Sequence, residues 1–111
     1  MYARLTANYR ARYSNPIAVV AGEKVTLGIR DVDWPEFIWA TDPRGRSGWI
    51  HQSFLNGDTV ARDYDAREID GNAGDSVRLI ELAGGWWWAE NEINERGWLP
   101  ERALAIEPGM K

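Results

Sequence analysis

Val25-Thr26-Leu27-Gly28-Ile29 alternates apolar residues with small or polar ones, and Val77-Arg78-Leu79 does the same. That period of two predicts strands buried on one face. Phe37-Ile38-Trp39-Ala40 and Trp86-Trp87-Trp88-Ala89 are aromatic and β-branched, and predict two more. Ser47-Gly48-Trp49-Ile50 and Arg96-Gly97-Trp98-Leu99 follow closely. Asp42-Pro43-Arg44-Gly45 and the stretch from Asn91 to Glu95 lie between and read as hairpin turns. No stretch carries a capped helical period, so the chain is expected to be all-β, built from short strands and close turns.

The pattern also repeats. Trp39-Ala40 and Gly48-Trp49-Ile50 recur as Trp88-Ala89 and Gly97-Trp98-Leu99, displaced by 49 residues. Ile17, Gly22, Val25 and Leu27 match Ile69, Gly74, Val77 and Leu79 at 52. Leu5, Tyr9 and Ala11 match Val60, Tyr64 and Ala66 at 55. A fixed offset marks a duplicated structural unit. Its two changes mark loops, where length varies at little cost. One lies between Ala11 and Ile17, the other between Leu27 and Phe37. Two units of about five strands follow, residues 1–56 and 57–107, with a tail at 108–111 and a turn signal, Asn56-Gly57-Asp58, at the junction. Alternation assigns Leu5, Ala11, Ile17, Val25, Leu27, Ala40, Ile50 and Leu55 to one core. It assigns Val60, Ala66, Ile69, Val77, Leu79, Ala89, Leu99 and Leu104 to the other.

Composition limits what such small units can be. Seven tryptophans are available to fill them, each burying ~150–250 Å². There is no cysteine, hence no disulfide and no thiolate metal site. No segment approaches the ~18 apolar residues that would span a membrane, and Met1-Tyr2-Ala3-Arg4-Leu5-Thr6 lacks the apolar run of a leader. A cytoplasmic location is the corresponding expectation. Residues 1–56 hold seven Lys/Arg against five Asp/Glu, and residues 57–111 six against twelve. The copies therefore carry +2 and −6, and the second is expected to attract cations and repel nucleic acid.

Ala61-Arg62-Asp63-Tyr64-Asp65-Ala66, Gly74-Asp75, Trp86-Trp87 and Gly97-Trp98-Leu99-Pro100 stand in the order of four motifs. Those motifs, Ala-Leu-Tyr-Asp-Tyr, Gly-Asp/Glu, Trp-Trp and Gly-Tyr/Trp-Ile/Val-Pro, belong to the Src-homology 3 (SH3) domain, which the chain resembles in its bacterial variant form. The first copy resembles it through Tyr9, Gly22-Glu23, Trp39-Ala40 and Gly48-Trp49-Ile50. The resemblance implies two consecutive five-stranded SH3-like barrels. It also implies a non-catalytic module that binds a proline-containing or cationic peptide on an aromatic shelf, since a stiff extended peptide loses little entropy there. For the second copy it implies Tyr64, Trp86, Trp98 and Pro100 as shelf, with Glu68 and Asp65 as charge partners. For the first it implies Tyr9, Trp34, Phe37, Trp49 and Phe54. Trp86 is expected to face solvent. Arg62 and Ala103 stand where the family has tyrosines in the second copy, and Ala7 and His51 replace a tyrosine and the shelf proline in the first.

Other functions compete less well. No carboxylate pair is placed with a partner in a dry cleft, and there is no phosphate-type glycine loop or metal spacing, so neither catalysis nor a cofactor is expected. A structural reading buries the aromatic faces between barrels or in a homodimer. A nucleic-acid reading uses Arg10, Arg12, Arg44 and Arg46 with Trp34 for stacking on single strands, against the net charge of −4.

Overall fold

In the computed structural model, which describes residues 1–107, the chain runs through twelve strands. They are β1 (Tyr2–Leu5), β2 (Ala18–Val19), β3 (Thr26–Arg30), β4 (Phe37–Thr41), β5 (Ser47–His51), β6 (Leu55–Asn56), β7 (Thr59–Val60), β8 (Tyr64–Asp65), β9 (Ser76–Ala83), β10 (Trp86–Asn91), β11 (Arg96–Pro100) and β12 (Leu104–Ile106). Two single-turn 3-10 segments, Gln52–Phe54 and Glu101–Ala103, occupy equivalent places 49 residues apart. No α-helix occurs among the described residues, and no helix there is long and apolar enough to cross a membrane. The expected tail at 108–111 lies outside them.

The predicted hairpins form as read. β4 and β5 pair with Trp39 opposite Trp49, and β10 and β11 pair with Trp88 opposite Trp98. The first turn closes because Asp42 Oδ1 accepts the amides of Arg44 and Arg46, both at 2.9 Å. Asn91 Oδ1 does the same for Ile93 and Glu95, at 3.1 and 2.9 Å. The glycine before each paired tryptophan has a packing cause. A Cβ on Gly48 would stand 2.9 Å from Ile17 Cγ2, and one on Gly97 would stand 2.9 Å from the Glu68 carbonyl carbon.

The chain forms two compact units, and neither is one repeat. Tyr13–Arg67 makes a contiguous unit; Met1–Arg12 together with Glu68–Lys111 makes a split one. The boundaries thus fall after Arg12 and Arg67, where the sequence pattern placed one after Asn56. β1, from the first repeat, lies inside a five-stranded sheet of order β11-β10-β9-β1-β12. Its registers there are Ala3 opposite Val77 and Leu5 opposite Leu104. Its counterpart from the second repeat, β7, pairs instead with β6, and Thr59 bridges to Lys24. The two first strands have changed places.

Gly57 explains the exchange. With φ of +63° it turns the chain so that Asn56 and Thr59 pair directly. A two-residue connection admits only this antiparallel hairpin, so β7 is captured by β6 next to it in sequence. β12 is left to pair with β1.

The contiguous unit carries the three-stranded sheet β3-β4-β5 and the pairs β2-β8 and β6-β7. No sheet among the described residues is closed as a barrel. The cores follow the exchange: Leu5 packs with Ala3, Ile69, Val77, Leu79, Ala89 and Leu99. Ile17, Val25, Ala40, Ile50 and Val60 are buried as expected. Ala11, Leu55, Ala66 and Leu104 are half-buried rather than core. Leu27 is 39% exposed, against 6% for its counterpart Leu79. β3 is an edge strand with a bulge between Leu27 and Arg30, whereas β9 is flanked by β10 and β1. The exchange also redistributes charge. Among the described residues the split unit holds six Lys/Arg and nine Asp/Glu and the contiguous unit six and eight, so they carry −3 and −2 and most of the asymmetry between the repeats disappears.

Candidate aromatic sites

In the split unit, residues 6–12 run antiparallel to residues 68–75. The Tyr9 amide donates to the Gly71 carbonyl at 2.8 Å, and the Gly71 amide returns a bond of 2.9 Å. The Ala11 and Arg12 amides donate to Asp70 Oδ1 (2.8 Å) and Glu68 Oε1 (3.3 Å). This ladder aims the Tyr9 ring at Trp86, edge-on, with centroids 6.2 Å apart. The Tyr9 hydroxyl donates to Glu68 Oε1 at 2.6 Å. Burial of the phenol, reinforced by that carboxylate, pushes the Tyr9 pKa up to about 12, against a smaller opposing effect of Arg12. The Arg12 guanidinium stands 5.8 Å from the Trp86 ring centre, within cation–π range. Glu68 also bridges to Trp98 of β11, and Pro100 lies opposite Trp86 in the β10–β11 register. Aromatic ring, carboxylate and guanidinium therefore meet at one place.

Trp86 is only 8% exposed and Trp98 7%, and Pro100 is buried. The expectation that Trp86 faces open solvent does not hold. Tyr9 and Glu68 are half-buried and, with the exposed Arg12, form the accessible part of the cluster.

The contiguous unit holds a second cluster. Tyr64 donates from its hydroxyl to the Trp49 carbonyl at 2.7 Å, and its ring lies 4.7 Å from Phe54. Arg62 places its guanidinium 4.3 Å from the Phe54 centroid. Phe37 meets the His51 ring at 5.1 Å. His51 Nδ1 receives the Ser53 amide at 3.2 Å, which caps the 3-10 turn, while Nε2 approaches Glu36 at 3.2 Å. Trp49 packs against Trp39 at 5.0 Å, and Tyr13 against Trp39 at 5.8 Å. Trp34 is half-buried in the loop after β3, its amide held by Asp31 Oδ1 at 3.0 Å. Tyr64, Phe54 and Phe37 are buried.

The eleven residues singled out from the sequence therefore regroup. Tyr9 stands with Glu68, Trp86, Trp98 and Pro100, and Tyr64 and Asp65 fall in the unit of Trp34, Phe37, Trp49 and Phe54. The two tyrosines were assigned the other way round because each was kept with its own repeat. Asp65 Oδ1 accepts the Arg67 amide at 2.8 Å, a turn-forming bond. Sequence reasoning missed the guanidinium-on-ring contacts of Arg12 and Arg62. A signal for the second was present: arginine where the resemblance has a tyrosine.

The arginines of the nucleic-acid reading are divided, Arg10 and Arg12 in one unit, Arg44 and Arg46 in the other. Arg44 pairs with Glu23 at 2.9 Å, and both Arg44 and Arg46 pair with the buried Asp42. Burial opposes ionisation of Asp42, but the Arg46 and Arg44 amides and both guanidinium charges prevail and hold its carboxyl below the ordinary range. Arg10 is spent on Asn72 Oδ1 and the Gly71 and Tyr9 carbonyls. Arg10, Arg44 and Arg46 thus hold turns and loops of the fold.

Residues 2–58 match the family model of the variant SH3 domain. No curated protein matches the chain.

Proposed function

Because the chain belongs to the variant SH3 domain family, whose members are generally protein-interaction modules, we propose that it is a non-catalytic module that holds a cationic, proline-containing peptide segment at the Tyr9–Glu68–Trp86 cluster. The observation carrying this reading is the Arg12 guanidinium beside Trp86, the ring against which Tyr9, hydrogen-bonded to the Glu68 carboxylate, also packs. A cation of the chain itself occupies the place where a ligand arginine would gain both ring and carboxylate. A peptide would compete with Arg12 and bind weakly for that reason. The second repeat we read as a diverged domain of the same kind, supported by its fixed offsets, its matching tryptophan pair and its matching 3-10 turn.

The test is titration with arginine-containing proline-rich peptides, followed by NMR shifts of backbone amides. Shifts at Tyr9, Glu68 and Trp86, lost in Glu68→Gln and strengthened in Arg12→Ala, are expected. Shifts confined to other residues overturn the assignment.

The burial of Trp86, Trp98, Tyr64 and Phe54 favours a second reading. In it the rings are internal packing, and the chain acts as a structural or oligomerising element. Absence of any peptide-induced shift, with Tyr9 and Trp86 retaining their protection, supports that reading.

A further inference from the structure

We propose that Met1–Arg12 is a donor segment that exchanges between two copies of this chain, so that Tyr9 and Arg12 of one copy complete the Trp86 cluster of the other. β1 lies within its sheet, and β12 has no other strand partner among the described residues. The segment buries Ala3 and Leu5, sets Tyr9 and Arg12 on Trp86, and ties Arg10 to Asn72. These contacts reach residues 68–107. Covalently, however, the segment is attached to the other unit, through Arg12-Tyr13-Ser14-Asn15-Pro16. That connection is anchored at the Arg12 amide on Glu68 and at the Ile17 amide on Ser47. The equivalent connection between Ala66 and Ile69 holds only Arg67 and Glu68. So one crossing is five residues long and the other two.

The partner is a second copy because the acceptor surface fits this segment residue by residue. The free edges of β9 and β12 take β1, and the acids Glu68 and Asp70 receive the Arg12 and Ala11 amides. Each copy carries donor and acceptor, so exchange re-forms every bond between chains in a closed, symmetric pair. Only the hinge conformation and association entropy distinguish the two forms, and exchange of an identical element between protomers is a low-cost route to a dimer. The proposal stands apart from peptide binding, and its tests use no peptide.

The chain has no cysteine, which makes a disulfide test clean. Leu5 donates to the Asp75 carbonyl and Leu79 to the Met1 carbonyl, so Arg4 and Ser76 face each other as a non-hydrogen-bonded pair. Such pairs stand ~4.5 Å apart at Cα, within reach of a disulfide. Full-length Arg4→Cys and Ser76→Cys chains, differently tagged, are mixed, unfolded, refolded at high concentration and oxidised. A mixed disulfide several-fold above that from Val32→Cys with Ser76→Cys is expected, Val32 being 96% exposed in the other unit. A yield no greater than this control overturns the proposal. Sedimentation of the unmodified chain should show a dimer rising with concentration. The double variant Arg4→Cys/Ser76→Cys, oxidised while dilute, should lose it, and so should Tyr2→Cys/Arg78→Cys at the second such pair. A dimer that survives both locks, or a chain that stays monomeric throughout, also overturns it.

Discussion

Tyr9 and Glu68, 59 residues apart in sequence, share a hydrogen bond of 2.6 Å. In the repeat each belongs to a different copy; in the structure they belong to one unit. The bond is the polar signature of the strand exchange, and it has a measurable titration.

Tyr9 is neutral in the folded state to about pH 12, while in the unfolded chain it ionises near 10. The folded state then holds the proton more tightly, so this contribution to stability is complete below about pH 10 and is lost as pH rises toward 12. Chemical denaturation across that range should show the decline, and Tyr9→Phe should flatten it. In Glu68→Gln, phenolate absorbance should appear at lower pH than in the parent.

Leu5→Ala should cost ~2–5 kcal/mol as a buried large-to-small change. Its effect should fall on β9, β10 and β12, leaving amide protection of β4 and β5 intact. Val60→Ala should do the reverse. Hydrogen exchange read strand by strand checks both, and loss of protection at β4 and β5 in Leu5→Ala would contradict the exchanged pairing.

Ala89 is fully buried in the core that contains Leu5, Val77 and Leu99. Ala89→Leu should overpack it and destabilise the chain by ~1–3 kcal/mol in denaturant titrations. An unchanged midpoint would place Ala89 outside the core.

Gly97→Ala should destabilise more than Gly48→Ala. The new methyl would meet Glu68 C and Ile69 N, both backbone, at 2.9 Å. At Gly48 the nearest backbone atom is Ile17 N at 3.2 Å, and the closest atom belongs to a side chain. Backbone cannot step aside as a methyl can, so the difference should appear as a lower thermal midpoint for Gly97→Ala.

Much of the framework is legible in the sequence. Alternation located β9 and the hairpins, and the offset of 49 anticipated that Trp39 and Trp88 would have equivalent partners. The exchange was not readable, because duplication makes the competing strands alike. Leu5 and Val60, or Tyr9 and Tyr64, have the same chemistry at the same pattern position, so either could close either sheet. What decides is the length of one turn at Gly57, a geometric constraint rather than a hydrophobic one. The solvent exposure expected for Trp86 failed for a related reason. It follows from the position that Trp86 holds in the resemblance, whereas in the structure Tyr9 and Arg12 stand against the ring. Leu27 failed because alternation cannot tell an edge strand from a central one, and the bulge in β3 breaks its period.

The pairing of Ala3 with Ile106 has a consequence for synthesis on the ribosome. The stretch Tyr13–Arg67 can find its native partners soon after it emerges, since they lie within itself. The strand β1 has to wait for β9, more than seventy residues on, and its pairing is complete only with β12. During that interval a nascent chain presents an unmatched amino-terminal strand, open to capture by a neighbouring chain on the same message.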